Sequence, residues 1–190
     1  MWPIVKRQPA ARSSRNRAAG TIVTTLVNVD AAVNRDYVIS KVIPAIKLKF
    51  PSLTKCVFLQ HDNATPHAAI TDEVLASVST DGWVFRVRRQ PLNSPDLNVL
   101  DLGIFASTQA MQLKTFCQSV DDIIQATLQA FDSLDIEKIE NVFLALQAVM
   151  QLVLQHHGEN NFRLPHLKKA ALTRAGVLMA NVSCPESLVV

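Results

Sequence analysis

The stretch Cys56-Val-Phe-Leu-Gln-His-Asp-Asn-Ala-Thr-Pro-His67 decides how this chain can fold. It opens with a short, continuously apolar run, which is typical of a strand buried on both faces of an α/β sheet. The run then meets Asp62, Asn63 and Pro66, which are residue types that favour turns. We therefore predict a strand over residues 56–60 that delivers Asp62 to its carboxyl end.

Three further strands are predicted on either side of this one. Trp2–Val5 and the β-branched run Thr21–Val29 precede it, and Trp83–Val87 follows it. Residues 6–20 are rich in arginine, serine and alanine, so we expect a basic loop between the first two strands. Together with the helices described next, these strands predict an α/β fold.

Two helices are predicted between the strands. The first is expected to use Asn34 as its N-terminal cap, and Pro44 is expected to kink it or restart it. The second is expected over residues 68–79.

The C-terminal part of the sequence is predicted to be helical. Ser119-Val-Asp-Asp122 fits a capping box, in which two side chains bond the first backbone N–H groups of a helix. Asp135 precedes a strongly periodic apolar stripe, which indicates a helix with one buried face. Gly158 is expected to end that helix.

The composition favours a globular, intracellular protein. With 190 residues and 48% hydrophobic side chains, the chain is long enough for one buried core. Its most apolar stretch, Ile139–Leu154, is interrupted by Glu140 and several amides, so we expect no membrane span. Met1–Val5 is too short for the apolar core of a signal peptide. The three cysteines have no paired spacing, which argues against a disulfide framework or a zinc knuckle.

Positive charge is unevenly distributed, although the net charge is only +3. Residues 1–20 carry five lysine and arginine side chains and no acid, and further cations cluster near residue 88 and in the C-terminal tail. Such clusters suit phosphate backbones, although a solvated surface is the plainer alternative. The residues predicted to contact nucleic acid are Arg86, Arg88, Arg89, Lys168 and Lys169.

A second carboxylate lies in the segment Pro91-Leu-Asn-Ser-Pro-Asp-Leu-Asn-Val-Leu-Asp-Leu-Gly-Ile-Phe105. Asp101 is expected in the first turns of a helix, whereas Asp62 is expected at a strand end. Carboxylates from such distant positions can converge on two Mg²⁺ or Mn²⁺ ions, which prefer hard oxygen ligands, and so cleave a phosphodiester. The alternative is structural: Asp62 forms an Asx turn and Asp101 caps a helix.

These two segments resemble the catalytic motifs of mariner-like transposases of the DDE superfamily. His61-Asp-Asn-Ala-Thr-Pro-His67 resembles the strand-end motif of that family, and Ser94-Pro-Asp-Leu-Asn98 followed by Asp101 resembles its third motif, in the same order. The resemblance implies a ribonuclease H-like mixed sheet flanked by helices, with a helical C-terminal extension. It also implies two-metal cleavage and transfer of transposon DNA ends, with Asp62 and Asp101 as catalytic ligands of Mg²⁺ or Mn²⁺.

Supporting roles and partners follow from the same resemblance. Asn63 and His67 would assist Asp62, unless His67 only closes the turn, and Asp96 would orient the loop before Asp101. The partner would be DNA, as transposon ends and target, with a homodimer as one possibility and the nucleus as the location. The implied parts are a partial catalytic domain over residues 1–118, helices packed on it over 119–158 and a basic tail over 159–190.

The first catalytic Asp of the family has no counterpart in these residues. In the family it lies on the central strand of a sheet ordered 3-2-1-4-5. If Trp2–Val5 and Thr21–Val29 match the second and third strands, the central strand is missing, and Asp30 would lie roughly 14 Å from Asp62 at about 4.8 Å per strand. We therefore expect a truncated, catalytically impaired domain that is either unstable or dependent on a partner. The alternative is a non-catalytic remnant that binds nucleic acid or self-associates.

Overall fold

The computed structural model describes residues 1–159, 161–163 and 167–188. The chain divides into two compact units, an N-terminal unit of residues 2–92 and a C-terminal unit of residues 93–190 together with Met1. Both helices and strands are present, so the predicted mixed α/β class is confirmed. None of the described helices combines the length and the apolar character that a membrane crossing needs. The three-part division predicted from the sequence stays a prediction.

The N-terminal unit begins with an antiparallel hairpin. Strand β1 (Val5–Pro9) pairs with β2 (Ile22–Leu26), with Val5 opposite Leu26 and Pro9 opposite Ile22. The prediction of a strand at Trp2–Val5 followed by a loop was therefore wrong, because the strand starts at Val5 and continues into the basic stretch. The polar side chains of β1 are compatible with a strand here since most of the hairpin is exposed and needs no apolar face.

The first helical segment has three parts: α1 (Ala31–Tyr37), a wider π-helical turn (Val38–Val42) and α2 (Ile43–Lys49). Its cap is Asp30, whose side chain accepts a hydrogen bond from the Val33 N–H at 2.9 Å, so the prediction of Asn34 as cap was wrong. An Asp at the N-cap position competes successfully because its carboxylate suits the positive helix end. Pro44 follows the π-helical turn, which agrees with the predicted restart.

The second sheet of this unit is parallel. Strands β3 (Cys56–His61) and β4 (Val84–Arg89) run side by side, and α3 (Asp72–Ala76) lies between them in sequence. The helix predicted over 68–79 is shorter, because a 3₁₀ turn precedes it and Ile70 is extended, which lets Thr71 cap α3.

The core of the N-terminal unit covers one face of the β3–β4 sheet. Val57 and Phe85 are buried there, whereas Phe58, which points to the other face, keeps 54% of its surface exposed. The prediction that β3 is buried on both faces was therefore wrong. The sheet has two strands, and the apolar side chains of the helices gather on the Val57 side. The buried core residues are Ile43, Val57, Ile70, Leu75, Trp83 and Phe85.

The C-terminal unit is helical apart from its turns. After a 3₁₀ turn (Pro95–Leu97) and a π-helical turn (Leu100–Ile104), its helices are α4 (Phe105–Gln112), α5 (Val120–Asp132), α6 (Ile136–Gln155) and α7 (Lys169–Arg174), followed by a 3₁₀ turn (Glu186–Leu188).

The predicted caps of α5 and α6 are confirmed. Ser119 and Asp122 form the reciprocal capping box of α5, and Asp135 accepts from the Glu137 N–H at the start of α6. Helix α6 ends at Gln155, and both residues that follow its C-cap have positive φ angles, 53° at His157 and 91° at Gly158. Gly158 then donates its N–H to the Val153 carbonyl at 2.8 Å, which closes the helix end one residue later than a glycine usually does.

Candidate active site

Asp62 lies immediately after β3, as the sequence predicted. Its Oδ1 atom accepts a hydrogen bond from the Ala64 N–H at 2.9 Å, which closes an Asx turn. The same oxygen lies 2.6 Å from Nδ1 of His67, which stands on the 3₁₀ turn that follows. The Asx turn that the sequence offered as the alternative role of Asp62 is thus present, and His67 contacts the same oxygen.

The environment of Asp62 favours its ionised form. The Ala64 N–H has the largest effect and lowers the pKa of Asp62; partial burial opposes it, and the hydrogen bond and charge of His67 then reinforce the lowering. Since 47% of the side chain remains exposed, screening by solvent keeps the contribution to stability small. Asp62 is therefore a carboxylate at neutral pH, which is the form that binds a cation.

The turn that carries Asp62 is tied to the end of β4. The Gln90 N–H donates to the His61 carbonyl at 2.9 Å, and the Asn63 amide donates to the Gln90 carbonyl at 2.9 Å. Asn63 therefore supports the position of Asp62 through the backbone of the neighbouring strand. Two adjacent strand ends hold the turn, so the carboxylate is presented by a fixed frame.

Two imidazoles flank the carboxylate. The rings of His61 and His67 meet edge to face with their centres 5.5 Å apart, and Nδ1 of His61 contacts the carbonyl of Asp62. Nε2 of His61 is buried and has no hydrogen-bond partner among the described residues. His61 was not predicted as a site residue, although it stands directly before Asp62.

Asp101 lies in the π-helical turn at the start of the helical segment, as predicted, and is exposed. Its Oδ2 atom accepts a hydrogen bond from the Asn98 side-chain amide at 2.8 Å. The cap of this helix is Asn98, whose Oδ1 accepts from the Leu100 N–H at 3.1 Å, so the interpretation of Asp101 as a cap was wrong. Asn98 has the residue type and position of an N-cap, and that signal could have identified it.

The backbone around Asp101 is fixed by close packing. A Cβ atom on Gly103 would lie 2.7 Å from Cγ2 of Val142 in α6, so only a glycine allows this approach. Asp96 lies in the preceding 3₁₀ turn and is half-buried, which agrees with a residue that shapes the loop. Asp62 belongs to the N-terminal unit and Asp101 to the C-terminal unit, so each carboxylate is placed by the contacts of its own unit.

The arginines of β4 lie on both faces of the sheet. Arg86 and Arg88 alternate with the buried Phe85, and the guanidinium carbon of Arg88 lies 4.8 Å from the centre of the exposed Phe58 ring. Arg89 is on the opposite face, across from His61 in the strand register. Trp83 and Phe85, with 8% and 2% exposure, stack in the core. The outer face therefore combines cations with one aromatic ring, Phe58.

The two lysines of the tail have defined places in the C-terminal unit. Lys168 precedes α7 with a left-handed backbone, and the Lys169 ammonium donates to the Asn141 carbonyl of α6. Burial, followed by the charge of Lys138, lowers the pKa of Lys169. Lys169 thus has a structural partner, and its contact with nucleic acid stays a prediction.

The carboxylate oxygens of Asp62 and Asp101 are ligands of the type that a hard divalent cation prefers. At each carboxylate, the hydrogen bonds described above fall on one oxygen, Oδ1 of Asp62 and Oδ2 of Asp101, so the second oxygen can face a metal. Among the described residues, however, no group of three or more histidine, cysteine, aspartate or glutamate side chains is arranged to hold a metal.

In comparisons with protein-family models, curated proteins and solved structures, no match to this chain was found.

Proposed function

We propose that this chain is part of a DDE-type, mariner-like catalytic domain in which Asp62 and Asp101 are metal-ligating carboxylates. The family chemistry is two-metal hydrolysis of phosphodiesters and transfer of DNA strands at transposon ends, in the nucleus. These 190 residues supply two of the three carboxylates of that chemistry. As they stand, we expect their activity to be severely impaired.

The observation that carries the proposal is the pairing of the strands. Strands β1 and β2 form an antiparallel pair, and β3 and β4 form a separate parallel pair. A ribonuclease H-like sheet ordered 3-2-1-4-5 leaves these two pairs when its central strand is omitted. In this interpretation β1 and β2 are the second and third strands, β3 is the fourth and β4 is the fifth, and Asp62 falls at the end of the fourth.

Each residue then has a definite part in the chemistry. A bound Mg²⁺ or Mn²⁺ pair would activate the attacking hydroxyl and stabilise the leaving oxygen. Each carboxylate would hold the ions through the oxygen that its own hydrogen bonds do not use. For Asp62 these are the bonds of the Asx turn, and for Asp101 it is the bond from Asn98. His67 and Asn63 would keep Asp62 ionised and in place, and Asp96 would shape the approach to Asp101.

Asp30 is not a substitute for the missing carboxylate. In the strand order proposed above it would lie about three strands from Asp62, roughly 14 Å at about 4.8 Å per strand, which is too far to share a metal pair. A metal pair held by only two carboxylates is held weakly. The expected impairment therefore follows from the residues present.

A second candidate is a non-catalytic protein that binds nucleic acid. The Asx turn favours it, because the hydrogen bonds of Asp62 are fully explained without a metal. In that case Asp62→Ala and Asp101→Ala would leave DNA binding and its salt dependence unchanged. A self-associating protein is a variant of this candidate, and sedimentation of the purified chain would detect it.

The test is Mn²⁺ binding by the purified chain, measured as the loss of free Mn²⁺ signal in electron paramagnetic resonance. Asp62→Asn and Asp101→Asn should each weaken binding on the order of tenfold, since each removes one anionic oxygen donor. The control is Asp132→Asn, which removes an exposed carboxylate from α5.

Equal Mn²⁺ binding by all three variants and the parent chain would overturn the proposed metal site. Mn²⁺-dependent nicking of a plasmid that disappears in Asp62→Ala would instead uphold the site and overturn the expected impairment. The two outcomes therefore distinguish whether Asp62 and Asp101 bind metal from whether the chain is catalytically active.

A further inference from the structure

The hairpin of β1 and β2 is a two-stranded ribbon with a folded tip. Its ladder runs from the Val5–Leu26 pair to the Pro9–Ile22 pair. Four of the five residues of β1 are exposed, and so are all residues from 11 to 22. Such a ribbon is about 17 Å long at about 3.4 Å per residue, before its tip is counted.

The tip is ordered by its own backbone bonds. Ala10, which is 6% exposed, donates its N–H to Thr21 at 2.8 Å and accepts from Gly20 at 2.9 Å. Beyond it, Ser14 and Arg17 exchange backbone hydrogen bonds at 2.8 and 3.2 Å around a two-residue turn. These bonds order an exposed segment that the sequence predicted only as a basic loop.

The tip carries three positive charges. Arg12, Arg15 and Arg17 are exposed there, and residues 11–20 contain no acidic side chain. A cluster of fixed cations on a projecting element attracts a polyanion. The charge and the ordered shape are independent observations, and both point to the same kind of ligand.

We propose that this hairpin is an arm that enters the major groove of duplex DNA and places Arg12, Arg15 and Arg17 on its phosphates. The major groove of B-form DNA, about 12 Å wide, admits a two-stranded β-ribbon. The major groove of A-form RNA is too narrow and deep for side chains to read. A lipid surface fits less well, because residues 11–19 contain no large apolar side chain to insert.

The arm goes beyond the proposed metal chemistry, because it uses other residues and needs no cation. Its failure and the failure of the proposed function are therefore distinguishable. DNA binding in the presence of EDTA reports on the arm alone, and Mn²⁺ binding without DNA reports on the carboxylates alone.

The experiment is fluorescence anisotropy of a labelled DNA duplex of about 30 base pairs, titrated with the full chain in EDTA between about 50 and 200 mM salt. The tip variant combines Arg12→Gln, Arg15→Gln and Arg17→Gln. Its charge-matched control combines Lys41→Gln, Lys49→Gln and Lys114→Gln, three exposed cations on or beside helices. A charge-keeping variant, with lysine at the three tip positions, separates loss of charge from loss of fold.

Each lost phosphate contact reduces the magnitude of the slope of log affinity against log salt by about 0.9. The slope of the tip variant, which loses three cations, should therefore be smaller in magnitude by about 2.7. Its affinity near 0.1 M salt should fall on the order of 100-fold, while the control and the lysine variant keep most of the slope. The proposal is overturned if the parent chain does not bind the duplex, or if the tip variant and its control lose equal slope. Equal affinity for the single strand, for an RNA duplex or for anionic vesicles would overturn it as well.

Discussion

The effect of Gly103→Ala on the free energy of unfolding should change sign when Val142 is shortened to alanine. In the parent chain the new Cβ would lie 2.7 Å from Cγ2 of Val142 and 3.5 Å from Cγ1. Val142 is 7% exposed and β-branched, so it cannot rotate away cheaply. Overpacking of this kind costs about 1–3 kcal/mol, whereas alanine in a helix gains about 1 kcal/mol over glycine. We therefore expect Gly103→Ala to lower the free energy of unfolding by about 1 kcal/mol.

In a Val142→Ala background both Cγ atoms are gone, and only the gain in helix propensity remains. Gly103→Ala should then raise the free energy of unfolding by about 1 kcal/mol, which makes the coupling between the two positions about 2 kcal/mol. Urea unfolding of the four chains, followed by helical circular dichroism at constant slope, measures this cycle. A Gly103→Ala effect of the same sign and size in both backgrounds would refute the close approach that fixes the turn of Asp101.

Three further measurements test the fold. Ser119→Ala should lower the free energy of unfolding by about 1 kcal/mol in urea titrations, because the α5 capping box loses its hydroxyl, and an unchanged value would argue against that cap. Hydrogen bonds from the Gln118 N–H, and next from Ser119, lower the pKa of Asp122 in the folded chain. The stabilisation by the Asp122 carboxylate is therefore complete above the unfolded pKa of about 3.9 and is lost as pH falls through the lower folded pKa. Asp122→Asn should make the melting temperature fall less steeply at acid pH, and an unchanged acid dependence would contradict this. Phe85→Ala should cost about 3–5 kcal/mol and the exposed Phe58→Ala less than about 0.5 kcal/mol, so equal costs in parallel urea titrations would refute the one-sided core.

The parts of the fold that could be predicted from the sequence are those that local chemistry determines. The apolar run before Asp62 makes a strand, and Ser119 with Asp122 makes a capping box, because each signal acts within a few residues. The start of α1 shows the limit of this approach. Asp30 and Asn34 are both good caps, and the choice of Asp30 depends on where the chain leaves β2.

The predictions that were wrong concern properties that depend on two or more secondary-structure elements together. β1 carries polar residues that no strand pattern favours, and it is a strand because β2 supplies its hydrogen bonds. The exposure of Phe58 depends on how many elements cover the sheet, which residues 56–60 alone cannot specify. The candidate site divides in the same way: the contact of Asp62 with His67 is local and follows from the motif, whereas no local signal determines whether carboxylates that are distant in sequence converge.

The Asx turn and metal ligation of Asp62 are compatible, because they use different oxygens of one carboxylate. Asp62→Asn keeps an Oδ1 acceptor for the Ala64 N–H and removes the negative charge, so it should preserve the turn and weaken Mn²⁺ binding. Asp62→Ala removes both and should lower the free energy of unfolding by about 1 kcal/mol as well, through the lost hydrogen bond. Thermal melts and Mn²⁺ titrations of the two variants separate these roles. If Asp62→Asn destabilises the chain as much as Asp62→Ala and binds Mn²⁺ like the parent, the carboxylate has only its structural role.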